Sequence, residues 1–399
     1  MKFVFTDGEK LGVYENGEKI LLESAYIKRY KENALSSQKN KEWKKKTDTM
    51  LNDGFYEGTN ESVVAQLKGV ALSETVDTLV YAFTVNDSSG IYTKCYTDKE
   101  KTEAHIITSN DVDFNCVTTC IGGEMLGAVQ ENPVNAHVAL FSPSGDYKSL
   151  TGGDCLDENP AFDRNGNVLY NSYGVGRDEM NNFVKYFPSE IYRLNLHSLD
   201  IQTLAADEKF SFIKPMSDAS GNVYCIRKPA SEKDSNNPLL DILLIPVRIV
   251  QGIVGFISSF VMCFSGKPLV KGKSMQAMGD GGAAKNGDRN PAKLFINQNL
   301  INVEKELKKN KKTEDYGFIP HSWKLVKLGE NGETQELASG VADFCIVQED
   351  GKDVFIYTNG KHVFALKDGK KQKLLDTDFC LKVGGILTKN TSDNLFDSL

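Results

Sequence analysis

Four side chains, Asp113, Glu158, Asn159 and Asp343, are polar residues set at or near the start of β-rich, otherwise apolar runs. Carboxylates and an amide gathered at strand ends could hold a hard cation or move a proton. Spacing supplies no partner for that chemistry. The five histidines (105, 137, 197, 321, 362) form no HxxxH or HxH, and each is expected to be an ordinary strand or loop residue. The eight cysteines contain no CxxC pair, and the nearest two, Cys116 and Cys120, lack a third and fourth ligand at zinc spacing. GxSxG, HExxH and GxxxxGK[ST] are all missing. "GDGGAAKNGDRNP" (279–291) contains Lys285 but follows no buried strand, so it is expected to be a linker rather than a phosphate loop. "DRNGN" (163–167) has part of a calcium loop without the remaining ligands, and is expected to be a turn. No catalytic, cofactor-binding or metal-binding residue is assigned from the sequence, and no cofactor is expected.

A second group of residues suggests attachment rather than reaction. "PLLDILLIPVRIVQGIVGFISSFVMCF" runs from Pro238 to Phe264 in a chain of 399 residues that is otherwise ordinary, with 40% hydrophobic and 25% charged residues. As a helix, its polar or small residues (Asp241, Arg248, Gln251, Gly252, Gly255, Ser258, Ser259) fall on one narrow stripe. Pro246 kinks that helix or ends its first turn. The wide apolar face then includes Leu243, Ile249, Ile253, Phe256, Ile257 and Phe260, and Lys267, Lys271 and Lys273 follow directly. Such a pattern fits a helix lying in a membrane interface, with its lysines near anionic headgroups. Burial against the rest of the protein, a partner or a second copy through 239–264 remains open. Further on, "NPAKLFINQNLINVEKELKK" is expected to be an amphipathic helix from Asn290-Pro291, with Ile296, Leu300, Val303 and Leu307 on one face.

Charge is unevenly placed. Residues 28–46 hold eight Lys/Arg against two Glu, and 265–315 hold eleven Lys/Arg against six Asp/Glu. The net charge of −7 therefore resolves into two basic segments on an acidic body. Nucleic-acid binding by the basic helix at 24–46 is disfavoured, since only Tyr26, Tyr30 and Trp43 offer stacking groups. The opening "MKFVFTDGEKLGVY" has no long apolar core of a signal peptide, and with unpaired cysteines this sets an expectation of a cytoplasmic protein, peripheral at the inner membrane face.

These segments must be carried by a body that alternates short β-rich runs with turn residues. Units of this kind cover 69–107, 113–150, 158–204, 213–228 with 323–337, and 343–375. A period of about 40–50 residues with four strands per unit is a propeller signature. The ends supply the sixth unit. "FCLKVGGIL" (379–387) has the look of an inner strand with no outer ones, and residues 2–22 the look of three outer strands with no inner one. The expected fold class is all-β, a six-bladed β-propeller closed by its N- and C-terminal strands, with helical insertions. A two-sheet sandwich with helical insertions is the competing arrangement. Propeller residues are then 1–23, 51–229 and 319–390, with a basic helical insertion at 24–50, an apolar/amphipathic helical insertion at 230–318 and a polar tail at 391–399. Because the second insertion leaves and rejoins one unit, its ends lie on the same side of any membrane, which disfavours a single crossing.

"SLTGGDCLDENPAFDRNGNVLYNSYGVGRDE…EIYRLNL" resembles the propeller repeat of the TolB family. Leu150-Thr151, Pro160, Phe162, Asn165-Gly166, Tyr170, Ser172, Gly176, Ile191-Tyr192 and Leu194 occupy matching places, and the next unit keeps Pro215, Ser220-Gly221 and Val223-Tyr224. The resemblance covers about residues 150–228. It implies a six-bladed propeller acting as a binding platform around a central channel, into which Glu158, Asn159, Asp343 and Asp113 could point. The expected function is a non-enzymatic interaction or scaffold protein, with a protein partner at an acidic channel mouth or blade rim. A calcium-dependent propeller hydrolase of lactonase or esterase type, with its site in that channel, is the alternative.

Overall fold

The computed structural model describes residues 1–47, 64–73, 77–86, 88–97, 103–119, 124–132, 134–230, 293–311, 315–329 and 332–386. Antiparallel meanders follow one another along the chain. The first contains β1 (Lys2–Asp7), β2 (Lys10–Glu15) and β3 (Glu18–Leu22), followed by helix α1 (Ala25–Thr47). Next come β4 (Ala65–Leu72), β5 (Thr78–Val85), β6 (Ser88–Cys95) and β7 (Ala104–Ser109), then β8 (Asp113–Thr119), β9 (Met125–Gln130), β10 (Ala136–Phe141) and β11 (Tyr147–Ser149). The fourth meander is β12 (Cys155–Phe162), β13 (Val168–Arg177), β15 (Glu190–Leu194) and β16 (Ile201–Ala205), with β14 (Phe183–Tyr186) as a side hairpin on β13. β17 (Phe210–Ser217) and β18 (Val223–Pro229) precede the hairpin β19 (Lys293–Ile296) and β20 (Asn299–Asn302) and the helix α2 (Val303–Asn310). The chain then returns as β21 (Lys324–Leu328) and β22 (Thr334–Ser339). The last elements are β23 (Asp343–Glu349), β24 (Lys352–Thr358), β25 (Gly360–Lys367), β26 (Lys370–Cys380) and β27 (Val383–Gly384).

Turn chemistry accounts for the meanders. Asn16-Gly17, Asp350-Gly351 and Asp368-Gly369 each take positive φ at both positions, as two-residue hairpins require. The "DRNGN" stretch is a carboxylate-capped turn: Asp163 Oδ1 accepts the N–H groups of Asn165 (2.8 Å) and Asn167 (3.0 Å). Asp178 and Asp218 repeat the device.

The first strands of neighbouring meanders pack on one another: β4 on β8, β8 on β12, β12 on β17, β17 on β23, β23 on β27, and β27 on β4. Glycine permits two of these approaches. A Cβ on Gly384 would lie 1.9 Å from the Val70 carbonyl oxygen, and one on Gly69 would lie 2.6 Å from the Val117 nitrogen. β27 also pairs with β1, with Val4 opposite Gly384 and Phe5 opposite Val383. Apolar side chains between the sheets, including Phe3, Phe5, Leu140, Trp323, Phe344 and Phe364, form the main core.

The basic helix α1 is fixed at its start. Ser24 Oγ accepts the Ile27 N–H (3.1 Å) and donates to Glu103 (3.0 Å), which also accepts the Tyr26 N–H (3.1 Å). Tyr26 packs on Tyr92 and Tyr30 on Phe83, with ring centroids 4.6 and 5.7 Å apart, so both rings are committed to the protein's own sheet.

The stretch from Asn290 corrects the sequence reading. A helix from Asn290 through Lys309 was expected. Instead β19 and β20 form a hairpin, and α2 begins only at Val303, with Asn302 Oδ1 accepting the Lys305 N–H (2.9 Å). Asn297 and Gln298 both adopt positive φ (46° and 63°), which breaks the helix and turns the chain. Ile296 and Ile301 are buried in the main core while Leu300 is 44% exposed, so the apolar residues do not share one helical face. The apolar run 238–264 and Lys267, Lys271 and Lys273 lie outside the described residues. Among the described residues no helix is long and apolar enough to cross a membrane.

Candidate functional site

The polar residues meet where the first strands of the meanders converge. Four of these strands carry a bulge: β4 between Leu67 and Gly69, β8 between Asn115 and Val117, β12 between Glu158 and Ala161, and β17 between Ile213 and Met216. The extra residues include Lys68, Cys116, Asn159 and Lys214. Cys116, Asn159 and Lys214 have φ of 57°, 52° and 54°, a left-handed conformation that costs of order 1 kcal/mol or more per non-glycine residue. Repetition of such strain on neighbouring strands marks a site whose shape is held by its surroundings.

A chain of hydrogen bonds joins these bulges. The Cys116 thiol donates to Asn159 Oδ1 (3.2 Å), and Asn159 Nδ2 donates to Asn171 Oδ1 (2.9 Å). Asn171 Oδ1 also accepts the Lys214 N–H (3.1 Å). The Lys214 ammonium lies 3.1 Å from Asp343 Oδ1, and Asp343 Oδ2 accepts the Val383 N–H (3.0 Å). Strands β8, β12, β17, β23 and β27 are thereby tied through side chains as well as by packing.

The electrostatics are mixed. Burial raises the Glu158 carboxyl above its ordinary range, against the pull of Lys382, Lys228, the Gln298 amide and Lys68. Burial lowers the Lys68 ammonium, partly opposed by Asp113. Burial also works to lower Lys382, but Cys116, Asp343 and Glu158 outweigh it and hold that ammonium above the usual lysine value. The carboxylates of this cluster therefore stand among lysines.

The β19–β20 hairpin reaches this polar cluster with its tip. Gln298 Nε2 donates to Glu158 Oε1 (3.3 Å), and Asn297 Nδ2 donates to the Ala342 carbonyl (3.1 Å). Lys228 anchors the hairpin from below, donating to the Asn297 carbonyl and to Asn299 Oδ1 (2.5 Å). It is only 1% exposed and lies 5.2 Å from the Trp323 ring and 5.5 Å from the Tyr173 ring.

Glu158, Asn159 and Asp343 thus belong to one cluster. Asp113 stands at its edge, accepting from Thr84 Oγ1 (3.4 Å). Leu243, Ile249, Ile253, Phe256, Ile257, Phe260, Lys267, Lys271 and Lys273 lie outside the described residues. The sequence reading missed Lys68, Lys214, Lys228 and Lys382. A signal was present, since Lys68 precedes Gly69, Lys214 precedes Pro215 and Lys228 precedes Pro229, and glycine or proline inside a strand marks a bulge or edge.

Successive antiparallel meanders with their first strands packed together define a protein of the β-propeller type. No family model matches the chain, and no curated protein matches it. Among solved structures it is similar to TolB from Acinetobacter baumannii, with 9% identity and a TM-score of 0.45 over 96% of this chain and 65% of that one. It is also similar to the tricorn protease (10% identity, TM-score 0.41, 96% of this chain and 34% of that one) and to puromycin hydrolase (8%, 0.39, 92% and 42%). The chain spans less than two thirds of the length of each. The propeller assignment rests on strand order rather than on these likenesses.

Proposed function

We propose that the chain is a six-bladed β-propeller closed where β27 joins β1, working as a non-enzymatic interaction module. In this reading β27-β1-β2-β3 is a composite blade, and the single β10–β12 pairing joins two blades into one nine-stranded sheet. The cyclic packing of first strands supports the count. The observation that carries the function is the hairpin tip, Asn297-Gln298, whose Gln298 amide takes Glu158 of the polar cluster as its acceptor. A protein partner then docks on the outer propeller surface.

The insertion supplies attachment. β18 pairs directly with β21, Arg227 opposite Lys324, so the chain between Pro229 and Lys324 leaves and rejoins one sheet. Leu243, Ile249, Ile253, Phe256, Ile257 and Phe260 form the anchoring face, and Lys267, Lys271 and Lys273 meet anionic headgroups at the cytoplasmic face of the membrane.

The calcium-dependent hydrolase fits less well. Calcium takes six to eight oxygen ligands, whereas Glu158 and Asp343 stand beside Lys68, Lys214, Lys228 and Lys382. Calorimetric titration with calcium tests the difference. The module reading expects no binding that depends on Glu158, and binding lost in Glu158→Gln would overturn it.

A further inference from the structure

We propose a transition-metal site of zinc type formed by His137, Cys155 and Asp157. Ala136 on β10 pairs in parallel with Leu156 on β12, and both are buried in the main core. Their neighbours therefore project to the opposite face, His137 from one strand and Cys155 and Asp157, two residues apart, from the other. One nitrogen, one sulfur and one oxygen donor lie within 4.8 Å of one another.

A second observation points to a missing ligand. His137 is 8% exposed, and its Nδ1 has no hydrogen-bond partner. Asp157 Oδ2 stands 3.8 Å away, too far for a hydrogen bond, although Asp157 is itself only 2% exposed. An orphaned buried nitrogen is destabilising, and a cation between these groups would remove that cost. Metal–ligand distances of about 2.0–2.3 Å place tetrahedral ligands some 3–4 Å apart, so the cluster must contract by roughly 1 Å. Mixed N, S and O donors suit a borderline cation such as Zn²⁺, with a fourth position left for water or an outside ligand. Half-buried Cys155 gives access. The thiolate is the ligand form, so a proton leaves Cys155 as metal binds.

The test uses the full chain stripped of metal and titrated with Co²⁺, followed by absorbance, then displaced with Zn²⁺. The expected result is one ion per chain with a thiolate-to-cobalt charge-transfer band, retained in Cys95→Ser and lost in Cys155→Ser. In the wild-type protein, Zn²⁺ should also protect Cys155 from alkylation by iodoacetamide, read by peptide mass spectrometry, without protecting Cys95, because ligation occupies the nucleophilic thiolate. This second readout needs no variant to fold. Absence of stoichiometric binding, a band that survives Cys155→Ser, or unchanged Cys155 alkylation would each overturn the site.

Discussion

Gln298 donates a hydrogen bond to Glu158 across 3.3 Å, joining the tip of an insertion hairpin to the first strand of a meander 140 residues earlier in the chain. The hairpin reaches that carboxylate because Lys228, beneath it, holds the Asn297 carbonyl and Asn299 Oδ1. The interior of the propeller is thus organised partly by a segment that sequence periodicity assigns to a helix.

Lys228→Met should release this hairpin. The substitution keeps a long unbranched side chain in this buried position but removes both anchoring hydrogen bonds and the ammonium over the Trp323 and Tyr173 rings. Amide hydrogen exchange within residues 293–302 should accelerate by on the order of tenfold or more, while β23–β26 exchange as before. Unchanged protection at 293–302 would mean that packing of Ile296 and Ile301 alone holds the hairpin.

The Lys214–Asp343 pair should be costly to break from one side. Their side chains are 12% and 3% exposed, so removing one partner leaves a charge in poorly hydrated surroundings. Lys214→Met should destabilise by about 3–5 kcal/mol in urea unfolding. Lys214→Met combined with Asp343→Asn should cost less than the sum of the single changes, because no unpaired charge remains.

Glu158 sets a pH dependence with a defined sign. Its folded carboxyl is raised above the unfolded value of about 4.3, so the folded state holds the proton longer. Stability contributed by Glu158 is then full below the ordinary carboxylate range and lost as pH rises through the folded value. The stability of wild type relative to Glu158→Gln should fall across that interval and stay flat below it. A difference that grows with pH would show that the lysines dominate and hold Glu158 ionised.

Closure should be essential to folding. Truncation after Asp378 removes β27, the partner of β1, and should abolish a cooperative thermal transition. Gly384→Val, which sets side-chain atoms against the Val70 carbonyl, should destabilise by about 1–3 kcal/mol or more. A truncated chain that melts like wild type would contradict closure.

The meanders were legible because their determinants are local. Asn16-Gly17, Asp350-Gly351 and Asp368-Gly369 announce tight turns. The site was legible only in part. Glu158, Asn159 and Asp343 were visible as polar residues in apolar runs, whereas Lys68 and Lys214 reach the same place through bulges that depend on neighbouring strands. Ile296, Leu300, Val303 and Leu307 satisfy a helical period, but the left-handed turn at Asn297-Gln298 redirects the chain. His137 stands 18 positions before Cys155, and only the parallel contact between β10 and β12 makes them neighbours.

The insertion face should bind anionic vesicles. Co-sedimentation should pellet wild type and leave Ile249→Asp/Ile253→Asp/Phe256→Asp in the supernatant. Burial of each large apolar side chain contributes about 1.5–3 kcal/mol before ordering costs, so three charged replacements should abolish attachment. A defined oligomer lost in the triple variant, without vesicle binding, would instead assign the face to a second copy of the chain.

The most direct test of the non-enzymatic reading is a hydrolysis screen of purified wild type against lactones and carboxylic esters, with and without calcium, beside Glu158→Gln. The account predicts no turnover above buffer for either protein. Calcium-dependent turnover by wild type that Glu158→Gln abolishes would contradict it and place a hydrolase site in the channel.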